Sequence, residues 1–340
     1  MKKKIWKRIV LVLGIFLLSF LIINLIGVPI AYDVVFKHRA TIDFNETPGV
    51  VNYTEYQDQY KRSDVTYQVQ GHNMAGYSYL ENTTDYLIVS VHGFRAYADY
   101  LMREDFFFVD HGYNVFSFDL SGCGNSEGYT NGFSQSLIDL EGTLSFLNTD
   151  FRFKDYKKLL FGFSAGGYAS LSVLSLTDEN ILGSCAISSY YDAENLVYEK
   201  GFEYVNFLAF FGKPLVWIKE KRLFDDYLTI RATDAIHNSN VPVFLAHGTK
   251  DTVITYNKLD TYSKIEESDR VFKYSKEATH SGILYSDRAL EYQKEVKATL
   301  GKLKGKEKEE YFNQIDDMLY SELNEELFER VLQFFEYCIS

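Results

Sequence analysis

The sequence predicts an α/β fold, with a mostly parallel central sheet and helices on both faces. Three observations predict it. Between about residues 65 and 300, short apolar runs bounded by turn residues alternate with stretches of helical period. At 340 residues, 46% hydrophobic and 24% charged, the chain is globular in composition and long enough for one large core with appended segments. Residues 157–176, KKLLFGFSAGGYASLSVLSL, pass from an apolar strand (Leu159 to Phe163) into a helix of small and apolar residues through the turn GFSAG.

At the N-terminus, residues 9–32 (IVLVLGIFLLSFLIINLIGVPIAY) hold no charge and as a helix span about 36 Å, enough for a hydrocarbon layer of about 30 Å. Lys2, Lys3, Lys4, Lys7 and Arg8 precede the run. Residues 1–32 therefore read as a cytoplasmic basic N-terminus and a single-pass anchor in the cell membrane, with the rest of the chain extracytoplasmic. The candidate cleavage site ending at Ala31 has Pro29 at its third position back, so an uncleaved anchor is expected over a secreted enzyme with a cleaved signal peptide. Residues 33–60, polar and aromatic with a turn at Pro48-Gly49, read as a linker.

The main domain is expected over residues 61–340. Its strand candidates are Val65 to Val69, Ala75 to Leu80, residues 86–94 (YLIVSVHGF), Asn114 to Leu120, Leu159 to Phe163, Leu182 to Ser188, Val241 to His247 and Val271 to Ser275. A helix fits Tyr97 to Val109, and Ser134 reads as the N-cap of a helix over 135–147. From about 190 to 240 eleven aromatic residues, among them Phe202, Phe207, Phe210, Phe211 and Trp217, interrupt the alternation and predict a helical lid over the C-terminal edge of the sheet. They suit a lid core, an apolar acyl pocket or contact with a bilayer surface. A helix to about Leu300 is followed by the solvated stretch GKLKGKEKEE and an amphipathic stretch from Tyr311 to Tyr337, a helical C-terminal extension over about 301–340.

Charge and cysteine content exclude several function classes. The net charge is −12, and without the five N-terminal cations the body stands at −17, which repels polyanions and excludes nucleic acid as a partner. Cys123, Cys185 and Cys338 are too few and too scattered for a disulfide framework or a paired-ligand zinc site.

Ser164 is the chemical centre of the sequence. Gly162 and Gly166 leave room for a strand to turn directly into a helix, which lifts the Ser164 hydroxyl onto a helix N-terminus whose N–H groups suit a developing oxyanion. A serine needs a base to take its proton and an acid group to orient that base. Asp251, in HGTKDTV (247–253), and His280, in ATHSG (278–282), each follow a late strand, where open parallel sheets bind ligands. Asp192 is the substitute acid and His237, in the lid, the rival base. His92 and His247 precede glycines at strand ends and read as structural, and Cys123 and Cys185 as small core fillers.

The succession HGF (92–94), FDLSGCGNSEG (118–128), GFSAGG (162–167), HGTKD (247–251) and a late histidine resembles the α/β-hydrolase superfamily over about residues 65–290. It is most similar to single-domain bacterial serine hydrolases of the esterase, lipase and aminopeptidase type, including Bem46-like membrane-associated members. The resemblance implies the α/β-hydrolase fold, with Ser164 as nucleophile, Asp251 as acid, His280 as base, and the backbone N–H groups of Phe94 and Ala165 as oxyanion donors. Asn125 stands where a basic residue is common, and Ile254-Thr255 where Val-Pro is frequent. The implied activity is cleavage of a small-molecule ester, of acyl or aromatic class, through an acyl-enzyme, with no cofactor and no metal. A peptidase or acyltransferase of the same fold, or a catalytically silent binding module, are the alternatives.

Overall fold

A computed structural model of the protein describes residues 2–41, 47–50, 52–177, 179–205 and 209–340. Eight strands form one sheet in the order β1-β2-β4-β3-β5-β6-β7-β8. They are β1 (Arg62–Val69), β2 (His72–Tyr79), β3 (Tyr86–Val91), β4 (Asn114–Phe118), β5 (Lys157–Phe163), β6 (Ile181–Ile187), β7 (Val243–Gly248) and β8 (Val271–Lys276). β1 and β2 form a hairpin, β2 runs antiparallel to β4, and every pairing from β4 to β8 is parallel. The burial follows from the order. Edge strand β1 buries alternate residues, Val65, Tyr67 and Val69, whereas β4 is buried at every position. This is the α/β-hydrolase fold that the resemblance implies.

The helices of the body are α3 (Met102–Asp110), α4 (Gln135–Thr149), α5 (Ala165–Ser172), α6 (Ala193–Val205), α7 (Ala209–Phe224), α8 (Ala232–Asn238), α9 (Asp287–Leu300), α10 (Gly305–Phe312), α11 (Asp317–Tyr320) and α12 (Glu325–Ile339). On one face of the sheet, α4, α5 and α8 supply Leu140, Leu144, Tyr168 and Ile236 to the larger core. On the other, α3 and α12 supply Phe106, Phe108, Phe328 and Phe335. The expected extension is thus part of the second core. Leu327, Phe328, Val331, Phe334 and Phe335 are buried at helical spacing along one stripe of α12, and the exposed Lys/Glu stretch begins α10.

Ser134 does not cap α4 as expected. Its backbone is already helical (φ −76°, ψ −13°), and its hydroxyl makes no capping bond, because a capping side chain reaches the second or third N–H only from a non-helical backbone.

The N-terminal helix comprises α1 (Lys2–Ile22), a π-helical turn (Ile23–Gly27) and α2 (Val28–Phe36). Over Lys3–Phe36 it is long and apolar enough to cross a membrane. Pro29 has no N–H for the Leu25 carbonyl, and the wider turn just before it accommodates that loss without ending the helix. Helix therefore continues four residues into the stretch expected as a linker, 33–60. Beyond it, bridges pair His38 with Thr130 and Ala40 with Cys123. Tyr60 is buried with its ring stacked 3.8 Å from that of Phe106. The stretch is laid onto the body along much of its described length.

The expected lid is α6, α7, a 3-10 turn (Asp225–Thr229) and α8. Its aromatics divide. Tyr190 and Phe224 are buried, while Phe202, Phe210, Phe211 and Trp217 are 40–67% exposed. Phe207 lies outside the described residues.

Candidate active site

The turn from β5 to α5 presents Ser164 with φ +56° and ψ −111°, a strained conformation for a residue with a side chain. Both flanking glycines are needed. A Cβ on Gly166 would lie 1.9 Å from the Val91 carbonyl oxygen, and one on Gly162 would lie 2.3 Å from the Gly166 carbonyl oxygen. The close packing of β3, β5 and α5 thus forces the hydroxyl of Ser164 outward at the N-terminus of α5.

Two loops from the same edge of the sheet meet it. The loop after β8 brings His280 Nε2 to 2.9 Å from Ser164 Oγ, and the loop after β7 brings Asp251 Oδ2 to 2.6 Å from His280 Nδ1. With Asp251 ionised, His280 Nδ1–H donates to the carboxylate and Nε2 is left to accept the serine proton. Asp251 is fixed in turn by the N–H groups of Val253 and Ile254, which donate to Oδ1 at 2.7 and 2.9 Å. Burial pushes the Asp251 carboxyl up, but hydrogen bonds from His247 and His280 outweigh it and hold the group well below the usual carboxylate range. The His280 loop is pinned by Ser188, whose hydroxyl donates to the His280 carbonyl at 2.8 Å.

Of the two histidines read as structural, His92 fastens a neighbouring turn. Its Nδ1 lies 2.7 Å from the Gly93 carbonyl, which it can only donate to, so Nε2 accepts from the Leu120 N–H at 3.0 Å. Burial accordingly lowers its pKa. His247 does more than support a strand end. Its Nε2 lies 2.9 Å from the Ile254 carbonyl and 3.3 Å from Asp251 Oδ2, so it helps to place the acid. Its only sequence signal is a position four residues before Asp251.

The other sequence-predicted residues are placed as follows. Gly93 is packed so that an added Cβ would meet Ser164 Cβ at 3.4 Å, which sets the Phe94 turn against the serine. Among the described residues, neither the Phe94 nor the Ala165 N–H has an acceptor, and both flank Ser164. Asp192 is engaged elsewhere, accepting from Arg231 Nε at 2.8 Å and from the Asn195 N–H at 2.9 Å. His237 is exposed in the last turn of α8.

Ser164 and His280 open into a cavity of about 1010 Å³ walled by Phe94, Phe133, Phe163, Tyr190, Leu196 and Leu284. Two parts of its wall were not legible in the sequence. One is the end of α2, where Phe36 meets the rings of Phe94 and Phe133 at centroid distances of 6.0 and 5.3 Å. Arg95, beside Phe94 with φ +58°, donates to the Val35 carbonyl. The other is the C-terminal region, which contributes Gln293, Lys297 and Tyr320. Among the described residues no group of three or more acidic, histidine or cysteine side chains is placed to hold a metal ion.

A family model described as serine aminopeptidase, S33, matches residues 82–227. Among solved structures, the chain is similar to the esterase Pf2001 of Pyrococcus furiosus in two crystal forms. In one the TM-score is 0.55 at 21% identity, covering 78% of this chain and 96% of that one. In the other it is 0.53 at 22% identity, covering 74% and 95%. It is also similar to Est1E of Butyrivibrio proteoclasticus, solved with ferulic acid, with a TM-score of 0.50 at 15% identity over 70% of this chain and 98% of that one. No curated protein matches.

Proposed function

We propose that this chain, an α/β-hydrolase, cleaves carboxylic esters through an acyl-enzyme formed on Ser164. The observation that carries the reading is the continuous row Ser164 Oγ, His280 Nε2, His280 Nδ1, Asp251 Oδ2, at 2.9 and 2.6 Å, facing an apolar cavity. In the first half-reaction Ser164 Oγ bonds to the ester carbonyl carbon while its proton passes to His280 Nε2. Asp251 stabilises the imidazolium. The Phe94 and Ala165 N–H groups receive the oxyanion, an interaction of the kind worth about 3–4 kcal/mol per donor in the transition state. The carbon–oxygen bond to the alcohol then breaks, and His280 returns the proton to the departing oxygen. In the second half, water attacks the acyl-enzyme, gives its proton to His280, and the acid leaves as Ser164 Oγ is reprotonated.

An aminopeptidase reading, which the family model's description suggests, is less well served by the cavity. A peptide's α-ammonium needs an anionic partner. Among the described lining residues the one carboxylate is Glu203, which is paired with Lys200 at 3.0 Å, and Arg95 and Lys297 add further positive charge. A cationic wall suits the carboxylate product of ester cleavage instead. The similar protein Pf2001 is an esterase, which points the same way.

The test is labelling of the full chain in detergent with a fluorophosphonate, which reacts with activated serines. Labelling of the wild type and its loss in both Ser164→Ala and His280→Ala is expected, together with hydrolysis of p-nitrophenyl butyrate. A folded wild type that neither labels nor hydrolyses would leave a binding module as the better description.

A further inference from the structure

A second cavity, about 600 Å³, lies between the N-terminal helix and the lid. Phe20, Val28 and Val35 line it from the helix, and Val197, Phe211 and Val216 from α6 and α7. Lys200 and Lys213 are its charged lining residues. It adjoins the cavity in front of Ser164, for Val35, Phe36 and Lys200 line both. One wall is therefore a helix able to cross a membrane, and the far end is the candidate active site. From Phe20 to Phe36 the helix rises about 24 Å, more than the roughly 15 Å hydrocarbon depth of one leaflet. With the helix crossing the bilayer, the groove runs from lipid depth to the wall of the cavity that holds Ser164.

The surface around the groove has the same character. Leu25, Ile26, Ile30 and Val34 are 58–65% exposed on the helix, and Phe210 and Trp217 are 67% and 44% exposed on α7. Contiguous apolar surface of this kind marks a membrane or partner contact. The surface lining the groove is almost wholly apolar, which disfavours a peptide and suits a hydrocarbon chain.

Resting on the ester-hydrolase reading, we propose that the substrate is a long-chain acyl ester dissolved in the bilayer, which enters sideways along this groove with its acyl chain between the N-terminal helix and the lid. A soluble ester reaches Ser164 without it. The proposal separates two routes, and Gly201 is the place to test them. It lies in the groove lining, and a Cβ added there meets nothing within 4 Å.

The full chain is reconstituted in phosphatidylcholine vesicles and assayed with p-nitrophenyl palmitate in the vesicles and p-nitrophenyl butyrate in the water. Gly201→Trp fills the groove, and Val216→Asp places a charge in it. In each variant the palmitate-to-butyrate rate ratio is expected to fall at least tenfold. Wild-type hydrolysis of butyrate with a ratio unchanged within about twofold in both variants overturns the groove proposal alone. No hydrolysis of either ester by the wild type overturns the esterase reading and the groove proposal with it. A wild type that is dimeric in detergent and becomes monomeric in the variants, with an unchanged ratio, overturns it in favour of a second copy of the chain as the occupant.

Discussion

Glu104 and Asp105 are adjacent in α3 and buried, and among the described residues Glu104 Oε1 and Asp105 Oδ1 have no hydrogen-bond partner. Burial lifts Glu104 to about 8 and Asp105 to about 7. A carboxyl whose folded pKa exceeds its unfolded value contributes stability that is complete below the unfolded pKa, near 4, and is lost as pH rises through the folded one. The melting temperature of the full chain in detergent is therefore expected to fall between pH 5 and pH 9, and Glu104→Gln to flatten that fall. An equally steep fall in the variant would assign it to other groups. Asp251 has the opposite sign. Its depressed pKa keeps its contribution present above the unfolded value, and it is lost only in acid well below the ordinary carboxylate range. At this scale Ser164, His280 and Asp251 were legible, because glycine spacing and position after a strand are local properties. The environment of Glu104 was not. Two consecutive acids in a helix look solvated until the neighbours across the chain are known.

The elements of the sheet were legible for a similar reason, since each buried strand is a short apolar run with its own turn signals. What failed was the role of elements whose partners are distant in sequence. The stripe on α12 was visible as amphipathic, but nothing local said that it closes one face of the sheet. Phe328 there has no exposed surface and meets the rings of Phe107, Phe108 and Phe161. Phe328→Ala is expected to cost about 3–5 kcal/mol by removing a core aromatic. Glu310→Ala, on exposed α10, should change stability by less than about 0.5 kcal/mol. Denaturant titration of both variants measures this, and equal effects would mean that α12 is an appendage after all. The continuation of helix past Tyr32 was hidden in the same way. Asp33 reads as the first charge outside an apolar run, but its carboxylate meets Lys219 Nζ at 2.6 Å, a partner supplied by the lid.

For the whole molecule, the proposed topology has the basic N-terminus in the cytoplasm and the catalytic body outside, with one crossing between. A reporter active only outside the cytoplasm, fused after Ser340, is expected to be active, and an inactive but expressed fusion would reverse the orientation. The body and the N-terminal helix are not two units joined by a tether. Tyr32 places its hydroxyl 2.9 Å from the Asn131 carbonyl and 3.1 Å from Glu220 Oε1, Asp33 holds Lys219, and Phe36 stands against Phe94 and Phe133. A membrane helix meets a change in bilayer thickness by tilting. The helix is clasped to α7 at two successive residues, so in the proposed topology a tilt would also be a torque on the lid, and the thickness of the surrounding lipid would become a mechanical input to the mouth of the site.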